Sequence, residues 1–161
     1  NSDLANNYGN LCQRVISFSE KNTNLEVPNK DVFNKDDINI LNNYTLNFEN
    51  LINQIDNQNI NLYVNFVLEQ LFAANKYFND QEPWKKKKDV KRLNTIVYVS
   101  LELIRKITIM LYPIMPETTL KVLKIFNISE NQIDFNSIKN NEFLKENTKI
   151  KKLEILFKKV I

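Results

Sequence analysis

The stretch over 90–111 constrains the fold most. Leu93, Ile96, Val97, Leu101, Ile104, Ile107, Thr108 and Leu111 keep helical spacing there, for about five turns. It predicts one long α-helix. Pro113 and Pro116 end it, because proline lacks an N–H and its ring clashes with the preceding turn. Pro116 also suits the first position of a following helix, predicted over 117–126 and carrying Leu120, Val122, Leu123 and Phe126.

The chain before this stretch repeats the pattern. Over 3–20, Leu4, Tyr8, Leu11, Val15 and Phe18 form one apolar stripe, and Asn6, Asn10 and Arg14 form a polar one. At about 100° per residue the polar stripe lies on an exposed or partly exposed flank. A polar connection over 21–35 contains Pro28, and a second helical pattern follows over 36–55. It opens on Asp36 and Asp37, where the helix dipole favours negative charge. A third helix is predicted over 60–78, with Tyr63, Val64, Val67, Leu68, Leu71, Ala74 and Phe78 as its stripe. Leu62, Phe66 and Phe72 broaden that stripe, so this is expected to be a central helix touching several neighbours. From Asn127 onward the period loosens, and 152–157 reads as a strand or an extended tail packed on the helices. The expected architecture is an all-α antiparallel bundle of about five helices over 1–126, with a less regular C-terminal extension over 127–161 that packs on the bundle or toward a further domain.

Composition narrows the chemistry. The 161 residues contain no histidine, one cysteine (Cys12) and one glycine (Gly9). Without histidine there is no usual general base and no Ser-His or Cys-His pair. One cysteine allows no intrachain disulfide and no CxxC metal knuckle, and one glycine builds neither a P-loop nor a dinucleotide-binding turn. No metal site and no catalytic residue is therefore assigned. Net charge is +3, so affinity for nucleic acid must come from a local patch. No apolar run approaches the roughly 20 residues needed to span a bilayer, and no membrane partner is expected. The chain opens Asn-Ser-Asp-Leu, without an initiator methionine or a secretory pattern, as expected of a piece of a longer polypeptide. Asparagine, lysine and isoleucine crowd the sequence, which keeps only three arginines: Arg14, Arg92 and Arg105.

One short stretch stands apart. Trp84, the sole tryptophan, follows Pro83 and precedes Lys85, Lys86, Lys87 and Lys88. Proline pushes the residue before it out of the helical region, so a turn is predicted here. An aromatic held on a turn beside cations suits stacking on a nucleobase with lysines near phosphates. The same residues also suit a tryptophan that plugs the end of a bundle and lysines that solvate a helix start. The polar stripe likewise reads two ways: amides and an arginine facing a base edge, or a solvated face in an asparagine-rich chain.

Several motifs, in order along the chain, resemble the C-terminal anticodon-binding domain of bacterial methionyl-tRNA synthetase. Asn1-Ser2-Asp3-Leu4 through Asn6, Asn10 and Arg14 resembles the family's N-x-D-L-x-N-x-x-x-N-x-x-x-R. Ala74-Asn75-Lys76-Tyr77 followed by Pro83-Trp84 resembles A-N-x-Y...P-W. Leu111-Tyr112-Pro113-Ile114-Met115-Pro116-Glu117 resembles L-x-P-F-M-P-E, and Leu156-Phe157 resembles the start of L-F-P-R-I. Lys158 and Lys159 depart from that last motif, and Ile114 replaces a phenylalanine. The resemblance implies that Trp84 stacks on an anticodon base and that Asn10 and Arg14 contact base edges, with Asn6 on the same flank. It implies as partners a tRNA with the anticodon CAU and the parent enzyme's own catalytic domain. That cytoplasmic ligase would use ATP and magnesium in its catalytic domain, with no cofactor in this fragment. Two other readings stay open: the anticodon domain of another class I synthetase, against which the Pro-Trp junction argues, and a helical protein-interaction module.

Overall fold

The computed structural model describes residues 2–46 and 48–154, apart from the side chains of Thr45 and Phe48. Six α-helices follow one another: α1 (Ser2–Asn22), α2 (Lys35–Leu46), α3 (Phe48–Asp56), α4 (Ile60–Gln81), α5 (Val90–Leu111) and α6 (Pro116–Ile125). Short 3₁₀ turns occupy Pro83–Lys85, Glu130–Gln132 and Phe135–Lys139. Among the described residues there is no strand, only an isolated antiparallel bridge between Glu26 and Lys149. The apolar pattern over 36–55 is shared by α2 and α3, on either side of residue 47.

The helix predicted over 60–78, α4, touches α1, α2, α3 and α5 as expected, and still more enclosed is α5. It packs against α1, α2, α4 and α6 and against the turns at 83–85 and 135–139. Every residue from Thr95 to Leu111 is buried. The helix α4 has the broad apolar surface foreseen for it, but Ile60, Leu62 and Phe72 remain exposed. Apolar spacing did not rank α5 above α4, because α5 also buries polar side chains that find partners. Arg105 donates from Nε to Glu102 Oε2 at 2.8 Å and from Nη2 to the Asn140 carbonyl at 2.7 Å. Glu102 Oε1 accepts from the Leu144 backbone N–H at 2.6 Å. Lys106 donates to the Leu41 carbonyl at 3.2 Å and to Asn141 Oδ1. Buried charges persist when paired and hydrogen-bonded in this way.

These same bonds fasten the C-terminal extension onto the bundle. Ile138, Leu144 and Ile150 join the core, and the Ile150 N–H donates to the Leu25 carbonyl at 2.7 Å. Residues 152–154 have no regular secondary structure, and Leu153 packs against the core. The remainder of the predicted strand or tail, Leu156-Phe157 included, lies outside the described residues. Asn24, Asn127 and Asn147 take positive φ at 53°, 57° and 63°. Asparagine tolerates the left-handed region better than most residues, which is how a chain with one glycine makes these turns.

Candidate nucleic-acid interface

The turn that carries Trp84 is built by α4 running out at Gln81. Glu82 adopts a left-handed conformation (φ 46°, ψ 56°), and the buried Pro83 starts the 3₁₀ turn. Lys85 and Lys86 donate their N–H groups to Glu82 and Pro83 carbonyls at 2.9 and 3.0 Å. Asp89 then caps α5, accepting from the Arg92 N–H at 3.1 Å. A non-glycine residue with positive φ is strained, and such strain persists only where its surroundings impose it.

Those surroundings lie directly beneath the turn. Asp37, fully buried, receives both Arg92 terminal nitrogens at 2.7 and 3.0 Å and the Tyr77 hydroxyl at 2.6 Å. Arg92 also donates to Gln81 Oε1 at 2.6 Å. Asn34 and Asp37 exchange side-chain and backbone bonds at the start of α2, in the manner of a capping box. Burial pushes the Asp37 carboxyl upward, but hydrogen bonds from Arg92, Tyr77 and the Asn34 N–H outweigh it and hold it below its usual range. The cluster ties α2, α4 and α5 together where the chain turns.

Above it, aromatic rings form a row. Trp84 is 41% exposed and meets Phe78 edge-on, with centroids 6.0 Å apart and planes at 64°. Phe78 meets Phe18 at 5.8 Å and 83°. The Arg14 guanidinium lies 5.2 Å from the Phe78 ring centroid and donates to Asn79 Oδ1 at 2.5 Å. Between them opens a cleft of about 250 Å³ lined by Arg14, Ser17, Phe18, Lys21, Phe78 and Trp84. Its walls offer an aromatic face, a planar cation and an ammonium group, the set that a flat heteroaromatic ring with phosphate neighbours requires.

Sequence reasoning placed Arg14 and Trp84 in one site, and the fold brings them together. Asn10 and Asn6 are exposed on α1 one and two turns before Arg14, outside the cleft lining. The run Lys85 to Lys88 does not line the cleft either. Lys85 pairs with Glu82 at 2.7 Å on the surface, Lys86 is half-buried, and Lys87 and Lys88 are exposed. Phe18 and Phe78 read as core stripe residues, Asn79 read only as the start of the polar stretch leading to Trp84, and Ser17 and Lys21 carried no signal of their own. The available clue was adjacency: Phe78 and Asn79 end the apolar run just before the Trp84 turn.

The all-α bundle that carries this cleft is shared with the anticodon-binding domains of aminoacyl-tRNA synthetases. The family model described as "Anticodon binding domain of methionyl tRNA ligase" matches residues 27–161. A methionine–tRNA ligase from Brucella suis is 35% identical over 136 residues, covering 84% of this chain and 26% of its own length. One from Caldanaerobacter subterraneus is 32% identical over 166 residues, covering 99% and 25%. The apo crystal structure of Mycobacterium tuberculosis methionyl-tRNA synthetase superposes with a TM-score of 0.88 at 32% identity, over 98% of this chain and 32% of that one. The chain belongs to the family of methionyl-tRNA ligase anticodon-binding domains. It spans about a quarter of the length of these relatives.

Proposed function

We propose that this chain reads the CAU anticodon of a methionine tRNA on behalf of a longer, cytoplasmic methionine–tRNA ligase. The observation that carries the reading is Trp84, half-exposed and braced edge-on by Phe78, facing Arg14 across an open cleft. Bases of a single-stranded loop can be splayed and read on edges that duplex RNA hides. Trp84 supplies the stacking platform. Arg14 presents a rigid fork of donors, one of which Asn79 engages, and the rest serve a base carbonyl or ring nitrogen. Asn10, exposed one turn earlier, offers both a donor and an acceptor, and Asn6 extends that flank. Lys86, Lys87 and Lys88 add salt-sensitive attraction to phosphates.

ATP and magnesium belong to the rest of the ligase in this reading. The residues present here do not fit such a site. The sole glycine, Gly9, sits inside α1, and no cluster of three metal-ligating His, Cys, Asp or Glu residues occurs among the described residues. Titration of the full-length ligase with a CAU tRNA, and with the same tRNA changed at one anticodon base, tests the proposal. Tighter binding of CAU is expected. Preference for another anticodon moves the assignment to a different synthetase, and indifference to the anticodon removes the RNA-reading role.

A further inference from the structure

We propose that a second cleft, lined by Lys121, Lys124, Lys151 and Lys152, holds the sugar-phosphate backbone of the tRNA beside the loop read at Trp84. The inference rests on the anticodon reading of the Trp84 cleft. The second cleft measures about 380 Å³, and Ile125, Leu153 and Glu154 complete its lining. Two separate segments build it. Lys121 and Lys124 are three residues apart on α6, so they share a face. The Lys151 N–H donates to the Ile125 carbonyl at 3.0 Å and pins the extended segment against the end of α6. Four lysines thereby line one cleft, in which Glu154 is the only acid of the lining.

Their partners are few. Lys152 pairs with Glu20 at 2.7 Å, and both are exposed. Lys121, Lys124 and Lys151 are exposed and have no ion pair among the described residues. Elsewhere on this face the fold does supply acids, as where Glu26 meets Lys149. Lys124 sits in the last turn of α6, where the helix dipole favours a cation. That accounts for one of the four. Gathering like charges without an anion is unfavourable, and a polyanion reverses the sign.

The position fits the same ligand. Glu20, which holds Lys152, is followed on α1 by Lys21, which lines the Trp84 cleft. The Lys152–Glu20 pair thus ties the second cleft to the last turn of α1, whose Lys21 lines the first. A strand whose bases enter the first cleft can lay neighbouring phosphates along the second.

The test uses the full-length ligase carrying Lys121→Gln, Lys124→Gln and Lys151→Gln together, with Kd for CAU tRNA measured from low to high KCl. Each lost phosphate contact removes close to one counterion from the salt dependence. The log Kd–log salt slope should therefore shrink by about 2 to 3, and affinity should fall about tenfold or more in moderate salt. The ratio of affinities for CAU and the one-base-changed tRNA should not move, because phosphate contacts carry no sequence information. The matching triple Lys→Arg variant should keep the wild-type slope. An unchanged slope in the Gln variant overturns the proposal, whatever happens to the affinity. Loss of CAU preference in the wild type is a separate result: it removes the anticodon reading and leaves the slope comparison legible.

Discussion

Trp84 shows how little of a side chain's role its own identity fixes. Its ring neither plugs the bundle nor floats free: Phe78 supports one edge and Arg14 faces it across the cleft. Trp84→Ala should lower tRNA affinity by about 1–3 kcal/mol, the worth of one base–aromatic stack. Thermal stability should drop less than that, because the ring is already 41% exposed. Equal losses in melting and in tRNA titration would make Trp84 a packing residue. Arg14→Lys separates charge from shape at the same site. It keeps the cation and loses the planar fork, so anticodon discrimination should weaken while the salt slope stays. At this scale the sequence was informative where a residue type was rare. Of its three arginines, Arg14 faces the cleft, whereas Arg92 and Arg105 are consumed by Asp37 and Glu102. The fate of Arg92 was hidden, because Asp37 is brought to it only by folding, whereas Glu102 stands three residues before Arg105 on α5, a pairing that helical spacing permits. Phe78 was hidden for a related reason: its helical spacing placed it correctly on α4 but could not say that α1 would pass beside it, and Asn79 fell just beyond the helix predicted over 60–78 although α4 runs to Gln81.

Helices were legible because apolar spacing is a property of the element itself; the rank of α5 was not, because it rests on buried polar partners. Lys106 is the clearest case. Burial pulls its ammonium down to about 8 from an ordinary 10.5, against the pull of Glu102 in the other direction, with Arg105 adding to the fall. Between those values the unfolded chain holds the proton and the folded chain has released it, so this residue's contribution to stability rises with pH. Burial pushes the Cys12 thiol up from 9.0 to about 12, which acts in the opposite sense above pH 9. Tyr8, Tyr44, Tyr63 and Tyr98 are also raised by burial and oppose it above pH 10. The window for Lys106 alone is therefore pH 8 to 9. Subtracting the denaturant-derived stability of Lys106→Met from that of the wild type isolates the term. The difference should climb toward about 1.4 kcal/mol per pH unit, the slope of one proton. Parallel curves across that window would show that Lys106 keeps its proton.

At the scale of the whole molecule, the loosened pattern after Asn127 conceals a segment that completes the core. Its apolar anchors, Ile138, Leu144 and Ile150, are too widely spaced to register as an element. What holds it to α5 is chiefly polar: Ser137 and Asn140 carbonyls on Arg105, the Leu144 N–H on Glu102, and the Tyr98 hydroxyl donating to the Leu144 carbonyl at 2.7 Å. Sequence periodicity is blind to bonds of this kind. They are also where the molecule is most exposed to a single change. Arg105→Met keeps an unbranched apolar stem but leaves Glu102 buried without its cation and two carbonyls without their donor. Breaking a buried pair from one side costs about 3–5 kcal/mol, a large share of the roughly 5–15 kcal/mol that a typical domain possesses. The melting temperature should fall by about 6–20 °C at this chain length. Glu102→Gln in the same chain removes the stranded charge, so the double variant should be more stable than the sum of the two single losses. Amide exchange adds the location: the Leu144 N–H should lose protection in Arg105→Met before the amides of α1 and α4 do. Additive losses, or uniform loss of protection, would mean that the extension is held by its apolar anchors and that the Glu102–Arg105 pair contributes little to closing the molecule.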